Sequence, residues 1–144
     1  MRNIHINIVY ILLLASLSLT NFAYGQVNDT TIYSAPDVYP EFKYQEFKTT
    51  EKACERYFKL NYKMPLTLID NGYKGAIVVR LIIEKDGKLS NIKIIRGMND
   101  SLDESMLNFI KTMPVWTPGL KGGKFIRTEI NIPIRVSWLY GNND

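Results

Sequence analysis

Reactive and metal-binding side chains are scarce in this sequence. Among 144 residues there is one cysteine, Cys54, and one histidine, His5. A single cysteine excludes an intrachain disulfide and a cysteine-rich metal site. Lys52, Glu55 and Arg56 read as a helix surface around it, with Ala53, Tyr57 and Phe58 on the inner side. Cys54 is therefore read as a small buried hydrophobe, with a reactive thiol as the less favoured alternative. His5 lies in a segment expected to be removed, and a mature chain without histidine has no Ser-His or Cys-His pair and no imidazole ligand. No glycine-rich phosphate loop is present, nor a nucleophile beside a base. Asp103 and Glu104 are adjacent acids in the first turn of a helix, where the helix dipole explains them without catalysis. The net charge of +4 comes from Lys and Arg scattered singly among the acids, so the clustered basic stripe of a nucleic-acid binder is missing. No enzyme, cofactor, metal or nucleic-acid partner is expected.

What is present suits one globular domain. The chain is 46% hydrophobic and 22% charged, outside the range of disordered sequences, and its length allows one real core but not two. Residues 1–25 read as a signal peptide: Arg2 supplies the positive end, Ile6 to Leu19 is mostly apolar, and Ala23-Tyr24-Gly25 offers a cleavage site. The apolar stretch is interrupted by Asn7 and falls short of the roughly 20 residues of a membrane span. Cleavage after Gly25 is favoured over an uncleaved inner-membrane anchor. Residues 26–39 are polar and expected to be a flexible leader, and residues 40–140 to form the domain.

Within that domain Thr49 or Thr50 can cap a helix carrying Ala53, Tyr57, Phe58 and Leu60 as its stripe. Pro65 ends it and pushes Met64 toward extended geometry, and a short turn from Leu66 to Asp70 closes on Asn71-Gly72. Ala76 to Glu84, apolar on both faces, predicts the central strand. Lys85-Asp86-Gly87-Lys88 predicts a tight turn, and Leu89, Ile92, Ile94 and Ile95 an antiparallel partner. Ser101 and Glu104 read as a capping box opening a second helix, with Leu102, Met106, Phe109, Ile110 and Met113 on one face and Pro114 stopping it. The predicted fold is α+β: a three-stranded antiparallel sheet of order 2-1-3 with two helices packed on one face.

The third strand is the last long segment. Ile126, Thr128, Ile130, Ile132, Ile134, Val136 and Trp138 alternate with Phe125, Arg127, Glu129, Asn131, Pro133 and Arg135, giving a strand with one buried face. Proline donates no amide hydrogen and is tolerated in strands mainly at edges, so Pro133 marks an edge strand. Such an edge can take up another chain by strand addition, or stand unused behind the protection of Pro133, Arg127 and Arg135. The candidate contact residues are Phe125, Ile126, Arg127, Thr128, Glu129, Ile130, Asn131, Ile132, Ile134 and Arg135.

From Pro40 to Trp138 the chain resembles the carboxy-terminal domain of the TonB family. The resemblance is carried by Met64-Pro65, by Gly75 ahead of alternating apolar residues, by Asp86-Gly87-Lys88-Leu89, by Leu102-Asp103-Glu104-Ser105-Met106, and by Met113-Pro114-Val115-Trp116-Thr117-Pro118-Gly119 before a glycine turn and final strand. It implies a periplasmic, non-enzymatic domain whose last strand receives the short box peptide of an outer-membrane transporter or receptor, acting with an inner-membrane proton-driven motor. Members that pull on transporters have an uncleaved anchor and a long proline-rich spacer, whereas only residues 26–39 separate signal and domain here. Binding without force transmission, or action beside an anchored partner, follows if Gly25 is a cleavage site. An alternative of another class is a structural or assembly protein, in which the same edge makes a homodimer. Trp116, between Pro114 and Pro118, is expected to pin its turn into the core.

Overall fold

The computed structural model describes residues 30–69 and 73–139. The signal-like segment, His5, the start of the leader and the Asn71-Gly72 turn lie outside the described residues. In chain order the elements are β1 (Ile32–Tyr33), α1 (Thr50–Asn61), α2 (Leu66–Ile69), β2 (Ala76–Ile83), β3 (Leu89–Arg96), α3 (Asp100–Ile110), β4 (Gly119–Lys121), β5 (Lys124–Arg135) and a 3-10 turn over Val136–Trp138.

β2 is the centre because its side chains are apolar in both directions. Ile77, Val79, Leu81 and Ile83 are fully buried on one face, and Ile82 is buried on the other. Removing each such side chain from water stabilises the fold by about 1.5–3 kcal/mol. Ile134 of β5, Ala53 and Phe58 of α1, and Leu102 and Met106 of α3 join the first face of β2 in one cluster. Both long helices therefore cover that face. β2 pairs antiparallel with β3 on one side and with β5 on the other, which is the predicted order of these three strands.

The sheet is larger than the sequence predicts: among the described residues there are five strands, mixed in direction, with three helices in place of two. β1 pairs parallel with β5, Ile32 beside Arg127 and Tyr33 beside Thr128, and β4 forms a hairpin with the start of β5. Residues 30–39 were expected to be leader, because two residues of strand carry no readable alternation. Long-range polar contacts fix them instead. Arg127 Nη1 donates to the Thr30 carbonyl at 2.9 Å, Lys121 Nζ to the Ala35 carbonyl at 3.2 Å, and the Gly122 N–H to Asp37 Oδ2 at 2.8 Å. The third helix, α2, is a single turn set up by Pro65, whose carbonyl accepts from the Leu68 N–H at 2.9 Å; proline's fixed φ suits the start of a helix.

Three local details also differ. Thr49 caps α1 as anticipated, accepting from the Lys52 N–H at 3.3 Å. The cap of α3, however, is Asn99, whose Oδ1 accepts from the Leu102 N–H at 2.9 Å, while Asp103 Oδ1 accepts from the Met98 N–H at 3.0 Å. The Ser101–Glu104 box is not used, since starting the helix at Asp100 places both residues inside it. In the β2–β3 turn only Gly87 has positive φ, at 83°. The Gly87 N–H bonds the Glu84 carbonyl and the Glu84 N–H bonds the Lys88 carbonyl, so a type I turn is followed by a left-handed glycine. β5 ends at Arg135, short of Trp138, because its partner β2 begins at Ala76; Val136 N–H takes the Gly75 carbonyl and the chain coils, burying Leu139.

Where the turn meets β5, Arg127 grips Glu84 in a two-pronged pair, Nε to Oε2 at 2.7 Å and Nη2 to Oε1 at 2.9 Å, and Ser90 Oγ also bonds the carboxyl. The hydrogen bond from Arg127 is the main reason that the Glu84 carboxyl is held below its ordinary value of 4.5, opposed by partial burial. A carboxyl more acidic in the folded state contributes stability above its unfolded pKa and loses it as pH falls through the depressed value. Glu84→Gln should therefore cost about 1 kcal/mol at neutral pH, with the deficit closing as acid titrates the parent below 4.5; urea melts over pH measure this. Gly87→Ala should cost at least about 2 kcal/mol in the same assay, because a Cβ at this positive φ would stand 2.1 Å from the Trp116 carbonyl oxygen.

Candidate functional site

β2 and β5 pair over eight consecutive positions, from Ala76 beside Arg135 to Ile83 beside Thr128, without a register shift. The pairing of β2 with β3 is broken twice by irregularities, and Asn91 there has φ 47°. Bulges of this kind are a usual protection of a sheet edge. β5 has no such break along β2.

The direction of the β5 backbone groups follows from one bond. Val136 donates its N–H to the Gly75 carbonyl at 3.0 Å, one step past the Ala76–Arg135 pair. Hydrogen-bonded and non-bonded pairs alternate along an antiparallel ladder. Ile134, Ile132 and Ile130 therefore bond to β2, while Arg135, Pro133 and Asn131 turn their backbone groups to the opposite edge. Pro133 thus sits where its missing N–H breaks no bond to β2, the location its presence in the strand requires. Among the described residues, the outward backbone groups of Asn131, Pro133 and Arg135 have no partner.

The open edge is shorter than the sequence suggests. Phe125 and Ile126 belong to the hairpin with β4, paired with Leu120 and Gly119. Arg127 and Thr128 pair with β1. Of the ten residues anticipated as contacts, Glu129, Ile130, Asn131, Ile132, Ile134 and Arg135 lie where, among the described residues, β2 is the one strand in register with them. The buried alternate positions differ too: Ile126, Thr128 and Ile134 are buried, but Ile130 and Ile132 are only partly so.

That incomplete burial reflects a groove of about 600 Å³ beside the open edge, lined by residues 129–133 and Arg135 of β5, Thr50, Glu51 and Cys54 of α1, and Ser34, Tyr39, Pro40 and Trp116. Three distant stretches of chain supply its walls, and nothing in the local pattern of any of them announces it. Arg135 Nη2 lies 3.4 Å from Glu51 Oε1, and Arg80 Nε 3.9 Å from Glu129 Oε1, both near the surface. Trp116 is 4% exposed and packs on Phe42 with ring centroids 5.1 Å apart. Its backbone N–H takes the Gly87 carbonyl at 2.9 Å, so it pins its turn as expected. Its Nε1, like Thr128 Oγ1, is buried with no partner among the described residues.

The motif residues have structural duties. Gly75, at φ 103°, gives its carbonyl to Val136. Asp86 Oδ1 accepts from the Lys88 N–H. Met64 packs on the core, while Pro65 and Pro114 stand exposed beside the helix ends and Pro118 is half-buried. Gly119 is buried against Thr128, whose Oγ1 would lie 2.5 Å from a Cβ there.

Among the described residues no group of three or more His, Cys, Asp or Glu side chains is placed to hold a metal ion, and no helix is long and apolar enough to cross a membrane. Cys54 is 2% exposed, and burial pushes its thiol up to about 12. Because the thiolate is the reactive form, native protein at pH 8 should resist a chromogenic disulfide reagent for as long as it stays folded. Denatured protein should release one equivalent of chromophore at once. Rapid reaction of the native chain would refute the buried, protonated thiol.

Comparison with known families gives one match, the model described as Gram-negative bacterial TonB protein C-terminal, over residues 61–136. Neither the comparison with curated proteins nor that with solved structures gives a match. The matched region is more than half of the chain and contains the glycine turn, the Trp116 segment and the whole of β5, so the chain belongs to the TonB carboxy-terminal domain family.

Proposed function

We propose that this protein is a periplasmic TonB-like module that receives an extended segment of an outer-membrane transporter or receptor by strand addition to β5. Membership of the family supports TonB-like energy transduction in outer-membrane transport, and the family is not enzymatic. TonB proteins work in the periplasm, anchored at the inner membrane beside their motor. The observation that carries the finer reading is that, among the described residues, the outward backbone groups of Asn131, Pro133 and Arg135 are unpaired, on a strand whose other edge is held by β2 in unbroken register. Main-chain hydrogen bonds would supply the affinity of such a complex. Ordering a flexible peptide consumes several kcal/mol of the contact energy, so binding is weak to moderate.

Among the described residues the edge available to the partner is six residues, from 130 to 135, about 20 Å at about 3.3 Å per residue. β1 abuts it at Thr128. Amide hydrogen exchange on the full chain tests the proposal. Peptides copied from the periplasmic amino-terminal segments of outer-membrane transporters should slow exchange at Asn131 and Arg135. Amides of β3 should be unchanged. A panel of such peptides that leaves both β5 amides untouched would remove the proposal's basis, as would a chain that dimerises through this edge and excludes them.

A further inference from the structure

We infer that the leader is a displaceable strap: β1 occupies the first part of the outer edge of β5 and competes there with any partner strand that runs past residue 130. The inference rests on the strand-addition reading and adds to it a regulation of the same edge by the protein's own chain. The alternation that turns Asn131, Pro133 and Arg135 outward also turns Arg127 and Glu129 outward. β1 lies along these two, with Ile32 beside Arg127 and Tyr33 beside Thr128. One edge cannot bond two strands at the same point, so the docked leader and a longer partner exclude each other.

The leader is fastened unevenly. From Asp37 onward the main chain ties it down: the Asp37 and Val38 N–H groups both donate to the Leu120 carbonyl, at 2.8 and 3.1 Å, and Glu41 and Thr117 exchange bonds of 3.0 and 2.8 Å. Pro40 and Phe42 are buried. None of residues 30–36 is buried. Besides the pairing of β1, they are held by long side chains near the surface. Lys121 Nζ donates to the Ala35 carbonyl at 3.2 Å, stands 5.7 Å from the centre of the Tyr33 ring and lies 3.9 Å from Asp37 Oδ1. Exposed polar contacts of this kind contribute little each, and a segment with few buried apolar contacts opens locally at low free energy.

Release would leave the rest of the fold in place. Arg127 holds Glu84 through Nε and Nη2, and its Nη1 is what reaches the Thr30 carbonyl. Thr128 Oγ1 is buried without a partner among the described residues, which is unfavourable for a hydroxyl. Lifting Tyr33 from beside Thr128 lets water approach that group and offsets part of the cost of release. The strap thus has a fixed end at Asp37, a loose end at β1, and beneath it backbone groups that a longer partner needs.

Lys121→Ala in the full chain is the test, because it removes leader contacts from β4 without touching residues 130–135. With no peptide present, exchange at the Arg127 and Glu129 amides should rise about fivefold or more, and at the Ile130 and Ile132 amides, which bond to β2, by less than about twofold. Asp37→Ala, which loses the bond from the Gly122 N–H, should act in the same direction. The probes are a capped hexapeptide and a capped nonapeptide of alternating Ser and Val. The nonapeptide should protect the Asn131 amide, move the Ile32 and Tyr33 resonances toward those of an unfolded chain, and bind Lys121→Ala about fivefold more tightly than the parent. The hexapeptide should bind both proteins alike. No acceleration in either variant, or equal acceleration at all four amides, would overturn the strap. A nonapeptide that protects Asn131 while Ile32 and Tyr33 stay in place would overturn the competition and leave strand addition standing. Faster exchange at Arg127 and Glu129, with neither peptide protecting Asn131, would overturn strand addition and the competition with it, and would leave only a leader that opens.

Discussion

The structure depends on the ladder between β2 and β5. β2 supplies a row of fully buried aliphatic side chains and β5 is laid against it for eight positions without a slip. A slip of one residue would turn every inward side chain of β5 outward, so the burial of Ile134 and Val136 locks the register. The same locking fixes which backbone groups of β5 face away from β2. An edge suited to a visiting strand is here a consequence of how firmly the other edge is held.

The two margins of the sheet differ for a physical reason. β3 is broken by irregularities and so carries its own obstruction to edge pairing. β5 carries Pro133, at an outward position where one donor is missing but the register with β2 runs on unbroken. The first half of β5 is tied into the protein by β1, the hairpin with β4 and the Arg127–Glu84 pair. Only the second half borders the groove. Anchoring and availability are thus divided along one strand, and Arg127, anticipated as a contact residue, belongs to the anchored part.

Trp116 links the family motif to this arrangement. The two prolines around it hold an extended turn, its amide binds the β2–β3 turn at Gly87, and its ring packs on Phe42 while bordering the groove. A change at Gly87 therefore reaches the groove through packing, because a Cβ there meets the Trp116 carbonyl.

The sequence by itself determined what depends on neighbours along the chain. The period-two run of β5 and the two-sided apolar run of β2 gave strands. Thr49 capped a helix, Asp86-Gly87 made a turn, and the ordered motifs identified the family, but α3 stops at Ile110, so Met113 lies outside it and Pro114 does not end it. A cap could be misassigned even so, because Asn99 and Ser101 are both good cap residues and the choice rests on where the approaching strand delivers the chain. Tertiary structure alone decided the rest. β1 is two residues whose pairing depends on Arg127 and Lys121, nearly a hundred positions away. The groove is assembled from the leader, the start of α1 and the Trp116 turn. No local periodicity records contacts between segments so far apart, and those contacts set how much of β5 stays open.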